Sequence, residues 1–466
     1  MGLFRSRGKK KLNTECTEES HRGHGEFVVN RKRVLIFAGK LGYQTRSFDA
    51  AAANLGVELA FVTDRCHQLD DPWGDRAIAV HFESPEVAAY TVLEEVRRNN
   101  QGLQGRVDGI LALGDRPAVA AAYVARGLGL TYNHPAAVEA CRSKLRMREV
   151  FRDAGQRVPW FRAVALQPAP EPALLGISYP CVLKPISLSA STGVIRANNR
   201  EEFLAATARV RRVLESPEIL ASREANLDQM MVEGYIPGKE VAVEGLLTDG
   251  ELRLLAISDK ADPLEGPFFE ETIYVTPSRL GEAQLKEIER CAVDAVRALG
   301  LSHGPVHAEI RINEEGVWPL EVAPRPIGGL CARALRFVRS VSDEVIGLEE
   351  LLLRQAVDIP VRDWKREAAA SGVMMIPVPS SGVLERVEGE AAARAVPDVT
   401  DLEITARLHD YIAAWPEGSS YLGFLFARAE TAEDVERALR AAHGELRFAI
   451  RERLAVEHPA TGRVVG

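Results

Sequence analysis

Pro305-Val-His-Ala-Glu-Ile-Arg-Ile-Asn-Glu-Glu-Gly-Val-Trp-Pro-Leu-Glu-Val-Ala-Pro-Arg-Pro-Ile-Gly-Gly329 reads as two strands and a turn. His307 to Ile312 alternates polar and apolar residues, and Val317 to Val322 is mostly apolar, as strands require. Asn313-Glu-Glu-Gly316 supplies turn residues between them. A hairpin of this length brings Glu309 and Glu321 towards each other. Two close carboxylates repel, and such a pair is stabilised by a cation between them. Hard oxygen ligands, with Arg325, Gly328 and Gly329 close behind, point to Mg²⁺ carrying a polyphosphate. Two solvated glutamates on a surface hairpin are the commoner arrangement, so the rest of the chain has to decide.

Upstream, Arg33 to Gly39 is a buried-type strand, Ser47 to Leu55 a helix and Val57 to Thr63 a second strand, a β-α-β unit of a parallel sheet. Gly39-Lys-Leu-Gly42 is a G-x-x-G turn, not the G-x-G-x-x-G of a dinucleotide site. Asp108 to Leu113 is a further strand, and Pro117 to Gly127 is an Ala-rich helix. Residues 31–130 therefore read as one Rossmann-like domain. A single helix is expected from Ala136 to Ala154. Tyr179-Pro-Cys-Val-Leu-Lys-Pro185 places Lys184 inside an apolar strand. Ile186-Ser-Leu-Ser-Ala-Ser-Thr-Gly193 follows, a loop of small hydroxylated residues whose backbone N–H groups can approach a phosphate. It is not a Walker loop, and a Ser-rich loop alone is more often only a loop.

Residues 200–226 read as helical. Gln229 to Ile236, Glu240 to Leu247 and Arg253 to Ser258 read as strands, and Ala283 to Leu299 as a helix. A helical run is expected from Leu330 to about Val357. Residues 370–466 read as an α+β unit with strands at Gly372–Val378 and Ser420–Ala427 and a helix at 431–444. No catalytic constellation is read in it, and no internal repeat in the chain.

The bulk composition fits this picture. The 466 residues suffice for about three domains. A net charge of −8 argues against a general nucleic-acid or membrane-surface binder. Cys16, Cys66, Cys141, Cys181, Cys291 and Cys331 show neither zinc spacing nor a disulfide framework, which suits a reducing cytoplasm. No apolar run approaches the ~20 residues of a membrane span. Residues 1–30 read as a disordered basic and polar tail. Met1-Gly-Leu-Phe-Arg-Ser6 formally fits an N-myristoylation signal, although a coincidental match is the simpler reading.

Taken in order, a lysine in a helix, a lysine on a strand, a small-residue loop, a glutamate at a hinge and two glutamates on a hairpin resemble the ATP-grasp superfamily of carboxylate–amine ligases. The resemblance covers about residues 31–357. Phe268-Phe-Glu-Glu-Thr-Ile-Tyr-Val-Thr-Pro-Ser278 and Glu321-Val-Ala-Pro-Arg325 look most like the L-amino acid ligases, which join amino acids into dipeptides. It implies an α/β ATP-grasp fold, α+β in part. The implied domains are Rossmann-like (31–130), ATP-grasp (131–357, with a lid at about 155–230) and C-terminal α+β (358–466).

The resemblance also implies roles. Lys144 and Lys184 would hold the α- and β-phosphates of ATP, and Ser187, Ser189, Ser191, Thr192 and Gly193 would close over the β- and γ-phosphates. Glu233, with backbone groups of Gly234, Tyr235 and Ile236, would receive the adenine, and Glu240 the ribose. Glu309 and Glu321 would ligate Mg²⁺, with Mn²⁺ as the alternative. Ala323 stands where many ATP-grasp enzymes carry an Asn ligand, which puts the second metal's protein shell in doubt. Arg325 would hold the acyl substrate's carboxyl group and act in catalysis, as would Glu271, which would bind a substrate ammonium. Tyr274 stands where some amino acid ligases have His. Gly328 and Gly329 leave room for substrate. His307 faces the same way as Glu309 by alternation, a packed or solvent-facing histidine being an equal reading.

The expected activity is ATP- and Mg²⁺-dependent amide or peptide bond formation through an acyl phosphate, on small-molecule carboxylate and amine substrates such as amino acids. Neither nucleic acid nor membrane is expected as a partner, and a homodimer is expected from the family alone. The competing readings are a bicarbonate-activating or purine-biosynthesis-type ATP-grasp enzyme and a non-catalytic ATP-binding module.

Overall fold

Strand β1 (Arg33–Ala38) is buried at every position, as a strand covered on both faces must be. The structure is a computed structural model that describes residues 31–39, 44–64, 77–98, 106–452, 456–457 and 464–465. The expected basic tail, the acylation motif and residues 40–43 of the G-x-x-G turn lie outside the described residues. Among the described residues, β1 pairs in parallel with β2 (Glu58–Thr63) and β4 (Gly109–Ala112), and β2 with β3 (Ala77–Ala79). Helices α1 (Thr45–Leu55), α2 (Pro85–Arg98) and α3 (Asp115–Leu128) cover this sheet. Asp115 opens α3 directly after the C-terminal end of β4, where open α/β sheets present their ligand-binding residues.

The helix expected over 136–154 is two helices, α4 (Pro135–Arg142) and α5 (Lys144–Asp153). Ser143 between them is extended (φ −98°, ψ 109°), and its hydroxyl accepts from the Arg146 N–H at 3.3 Å. The serine thus acts as an N-cap, and helix periodicity on both sides hides the break. The consequence is functional geometry: Lys144 begins α5, with its N–H donating to the Ile186 carbonyl at 3.0 Å.

A small sheet follows, in the order β5 (Phe161–Ala165), β8 (Gln229–Gly234), β6 (Cys181–Pro185), β7 (Ile195–Ala197). Helix α6 (Arg200–Leu214) packs on it through Phe203, Ala206, Val210 and Leu214, one face of a 3.6-residue period. The helix expected through residue 226 stops at α6, and Ser216-Pro217 starts a separate short turn of helix at Pro217–Ala221.

The largest sheet crosses two segments of the chain. Strands β9 (Lys239–Thr248), β10 (Glu251–Lys260) and β11 (Ile273–Thr276) precede helix α7 (Glu282–Leu299). The hairpin β12 (Gly304–Asn313) and β13 (Gly316–Ala323) comes after it. Helix α8 (Leu348–Ala356) and strands β14 (Ala370–Ile376), β15 (Val399–Ile404) and β16 (Gly423–Ala429) complete the set, followed by helix α9 (Ala432–Glu445). The order is β13-β12-β9-β10-β11-β14-β16-β15, joined across the segments by β11 and β14, with Ile273 opposite Met374. Residues 336–339 and 345–347, expected to be helical, are paired strands, because Phe337, Val338, Val345 and Ile346 are β-formers around the turn at Ser340–Glu344.

Helix α7 buries Ile288, Ala292, Ala295, Val296 and Leu299 against the apolar face of β9, β12 and β13. Ile288 and Leu299 each contribute about 1.5–3 kcal/mol by burial. That packing commits one face of the three strands to the core and turns the alternate residues into the cavity. Among the described residues, no helix is long and apolar enough to cross a membrane.

Candidate active site

Strand register builds the floor of the site. His307 of β12 lies opposite Glu244 of β9 and Ala323 of β13; Glu309 lies opposite Ala242 and Glu321; Arg311 lies opposite Glu240. Opposed residues project to the same face, so acids, bases and two small alanines form a grid on the side away from α7. Buried Ala242 and Ala323 leave space between the charged side chains. A bulge after Glu309 shifts the register and bends the hairpin there.

The grid is closely paired. Lys260 at the end of β10 places its Nζ 2.6 Å from Glu240 and 3.1 Å from Glu309, and it also bonds Glu271. Burial works against a charged Lys260, but Glu240, Glu271 and Glu309 outweigh it and lift the amine well above the lysine range. Arg311 donates to Glu240 at 2.7 Å and to the carbonyls of Ile236 and Leu264, each at 2.6 Å. His307 Nδ1 lies 2.5 Å from Glu244, and its Nε2 is 3.8 Å from Glu309. Burial disfavours the imidazolium, but Glu244 more than compensates and raises His307 to about 9.

Burial, and then the neighbouring Glu309, push Glu271 up to about 7 in spite of Lys260. Burial would raise Glu309 as well, but Lys260 and His307 hold it well below the usual carboxylate range. Carboxylate oxygens of Glu240, Glu271 and Glu309 lie within 4.8 Å of one another. The cation among these three is the Lys260 ammonium, and the oxygen donors that suit a hard divalent cation at the cavity are Glu309 and, opposite it, Glu321. Glu321 stands outside that trio, and its carboxylate is 3.4 Å from Lys144 Nζ.

The expected phosphate ligands converge beside this floor. Lys144 Nζ donates to the Leu188 carbonyl at 2.5 Å, which ties α5 to the 187–193 loop. Lys184 Nζ lies 2.5 Å from Glu233. Glu233 also receives Arg148 through two bonds of 2.7 and 3.3 Å, and Arg148 donates to the Leu320 carbonyl at 2.6 Å. Burial alone would raise Glu233, yet Arg148 and Lys184 outweigh it and hold the carboxyl down to about 2. An unfolded chain takes up that proton at the ordinary value near 4.5, so the pair stabilises the fold above that pH. Wild-type stability is therefore expected to fall between pH 4.5 and about 2, by an amount of order 3 kcal/mol from this group. Urea melts across that window should show a shallower slope for Glu233→Gln, and an equal slope would refute the assignment.

In the loop, Ser189 is exposed, Ser187 and Ser191 are half-buried, and Thr192 and Gly193 are buried. Ser187 Oγ is 3.5 Å from the Ala225 carbonyl. At the hinge, the Gly234 and Tyr235 N–H groups donate to the carbonyls of Trp160 (2.9 Å) and Pro180 (3.1 Å). The Tyr235 ring lies under the Arg196 guanidinium, 4.0 Å from its centroid.

Arg325 is gripped from the start of α3: its Nε and Nη2 donate to the two oxygens of Asp115 at 2.6 and 3.1 Å. Burial would raise Asp115, but Arg325 and, more weakly, Lys144 pull it down. Tyr274 donates its hydroxyl to Glu271 at 2.5 Å. These residues open into a cavity of about 1700 Å³, whose far wall includes Gly328, Gly329, Met375, Tyr421 and Phe424. The last three come from the segment in which no catalytic constellation is legible.

The cavity thus brings together every residue assigned above a nucleotide, metal or substrate role except Thr192 and Gly193, which sit behind the loop's rim. Sequence reading missed Lys260, Arg148, Arg311, Asp115 and Glu244. Arg148 is one helical turn beyond Lys144, and Arg311 and Glu244 continue the alternation of Glu309 and Glu240, so periodicity could have found these three. Lys260 follows the apolar run Leu254 to Ile257 but lies two residues beyond the strand read at Arg253 to Ser258. Asp115 has no local signal beyond its place after β4.

Comparison with known proteins matches this arrangement in two steps. A model of the ATP-grasp domain matches residues 177–334. A model of L-amino acid ligase C-terminal domain 2 matches residues 374–451. The chain thus contains a segment that matches the ATP-grasp domain. More particularly, that segment is followed by one that matches the C-terminal domain of the L-amino acid ligases.

Alanine–anticapsin ligase of Bacillus amyloliquefaciens is 29% identical over 247 residues, 50% of this chain and 51% of the relative. The chain thus spans about half the length of that curated relative. D-alanine–D-alanine ligase of Geobacter sulfurreducens is 27% identical over 337 residues, 70% of this chain and 89% of the relative. Among solved structures, L-amino acid ligase from Bacillus licheniformis superposes with a TM-score of 0.71 at 24% identity, covering 91% of this chain and 99% of that one. N5-carboxyaminoimidazole ribonucleotide synthetase from Thermotoga maritima superposes at 0.62 with 15% identity, covering 90% and 100%. Both likenesses are of fold.

Proposed function

We propose that the protein is an ATP- and Mg²⁺-dependent carboxylate–amine ligase that joins amino acids, or an amino acid and another amine, with release of ADP and phosphate. The observation that carries this reading is the convergence of Lys144 and Lys184 with the facing Glu309 and Glu321 on one cavity that ends at Arg325. The relatives named as alanine–anticapsin and D-alanine–D-alanine ligases support amino acids as substrates.

In the reaction proposed, the carboxylate is activated as an acyl phosphate and the amine then displaces phosphate. Glu309 and Glu321 would hold the metal. Bound there, Mg²⁺ would offset the charge of the phosphates as it builds. Lys144 and Lys184 would neutralise phosphate oxygens from the side of the loop, while Lys260 would fix the Glu309 carboxylate. The Ser187–Gly193 loop would exclude water from an intermediate prone to hydrolysis. Glu271 would bind the substrate ammonium, while Arg325 would orient the carboxyl group and stabilise its tetrahedral state.

Asp115 fixes the fork of Arg325 from the start of α3, so Asp115→Asn is expected to raise KM for the carboxylate substrate about tenfold and to lower kcat, with KM for ATP little changed. Steady-state ADP release with each substrate varied in turn would show this, and an unchanged KM for the carboxylate would count against Arg325 as its ligand.

The function itself is tested by ADP release over pairs of amino acids, with mass spectrometry of the products. Release that requires bicarbonate and no amino acid would replace this reading by the bicarbonate-activating one. Nucleotide binding without release over a broad panel would indicate a non-catalytic module.

A further inference from the structure

The 187–193 loop is held from outside its own domain. Ala190 (φ 55°) and Ser191 (φ 53°) both lie in the left-handed region, which is unfavourable for residues with a Cβ. Such backbone persists where its surroundings over-determine it. Gly193 (φ 70°) completes the turn, and a Cβ there would come within 2.9 Å of Pro185.

The restraining contacts come from residues 415–417 of the C-terminal domain. Trp415 Nε1 donates to the Ala190 carbonyl at 3.2 Å, and the Gly193 N–H donates to the Pro416 carbonyl at 3.0 Å. Both carboxylate oxygens of Glu417 accept from one edge of Arg209 on α6, from Nε at 2.5 Å and Nη2 at 2.8 Å. Arg209 in turn lies over the Phe268 ring, 4.7 Å from its centroid. Trp415 is buried, and its ring sits 4.9 Å from Tyr421, which lies 6.2 Å from Phe424 on the substrate wall. One short segment therefore touches the loop on one side and the substrate wall on the other.

We infer that the C-terminal domain is the latch of this loop: Trp415 and Glu417 are positioning residues that hold it closed over a bound nucleotide. Release of the nucleotide then requires their contacts to open. The inference rests on the nucleotide reading of the loop given above.

The test uses the full chain and ADP carrying an N-methylanthraniloyl fluorophore, with Mg²⁺, and reads the dissociation rate by stopped flow. Trp415→Phe keeps a buried ring and removes the donor, and it is expected to speed release about threefold to tenfold. Glu417→Gln breaks a partly exposed pair and is expected to speed release about twofold to fivefold. Arg209→Gln added to Glu417→Gln is expected to change little more, because both remove one interaction. A purely structural role would lower the melting temperature and leave the release rate of the folded fraction unchanged. If Trp415→Phe does not fold, Glu417→Gln decides. Wild-type binding with unchanged release in the folded variants overturns the latch alone. Failure of the wild type to bind the probe overturns the nucleotide reading, and the latch with it.

Discussion

Glu321→Ala is expected to lower the rate of ADP release by about a thousandfold while the chain stays folded. Glu321 sits on the exposed side of the hairpin floor, with its side chain 26% accessible, so truncation opens no cavity in the core. What is lost is electrostatic. The carboxylate opposite Glu309 disappears, and Lys144 loses the partner 3.4 Å away that keeps it between the floor and the loop. A metal held by the remaining Glu309 would bind more weakly, so the variant should also need more Mg²⁺ for half-maximal rate. Titrating Mg²⁺ at saturating ATP separates the two effects. Full turnover in Glu321→Ala would show that this glutamate is not a metal ligand.

Arg148→Leu is expected to cost about 3–5 kcal/mol of stability. The guanidinium is 1% exposed and makes two bonds to Glu233 and one to the Leu320 carbonyl. Replacing it with an apolar side chain leaves Glu233 buried with Lys184 as its cation and strands a carbonyl in the floor. Removing one member of a buried network costs more than the network is worth intact, because the survivors keep their desolvation penalty. Arg148→Lys should fall between, since an ammonium restores the charge without the fork that meets both oxygens of Glu233. Urea denaturation followed by circular dichroism measures the loss, and a change below about 1 kcal/mol would mean that Glu233 finds another partner.

The floor is legible where periodicity speaks. The alternation His307, Glu309, Arg311 and the alternation Glu240, Glu244 each assign a face, and a single hairpin turn sets Glu309 against Glu321. The fold is legible for the same reason, as the parallel β-α-β start and the long amphipathic α7 are strong local patterns. Legibility fails in two physical situations. One is a cap that interrupts a continuing pattern: Ser143 breaks a helix whose apolar spacing runs on undisturbed. The other is a partner that only tertiary structure supplies. Lys260 is unremarkable until β9, β12 and the segment before β11 bring Glu240, Glu309 and Glu271 around it, and Asp115 becomes informative only when the start of α3 meets Arg325. The strands at 336–339 and 345–347 illustrate a third, milder failure, in which neighbouring helix formers mask two short runs of β-branched and aromatic residues.

The join between β11 and β14 bears on how this chain can be divided. Domains of a modular enzyme are commonly separable units, joined by linkers that carry few contacts. Here Ile273–Thr276 is hydrogen-bonded along its length to Ala370–Ile376, so the C-terminal segment supplies the neighbouring strand of the ATP-grasp sheet. A chain ended near residue 366 would expose β11 as a bare, apolar edge, Ile-Tyr-Val-Thr, of the kind that recruits strands from other molecules. Such a fragment is expected to aggregate when expressed, in contrast to a smaller working enzyme. Exchange of C-terminal domains between relatives would accordingly have to carry β11 and β14 together, as one matched pair.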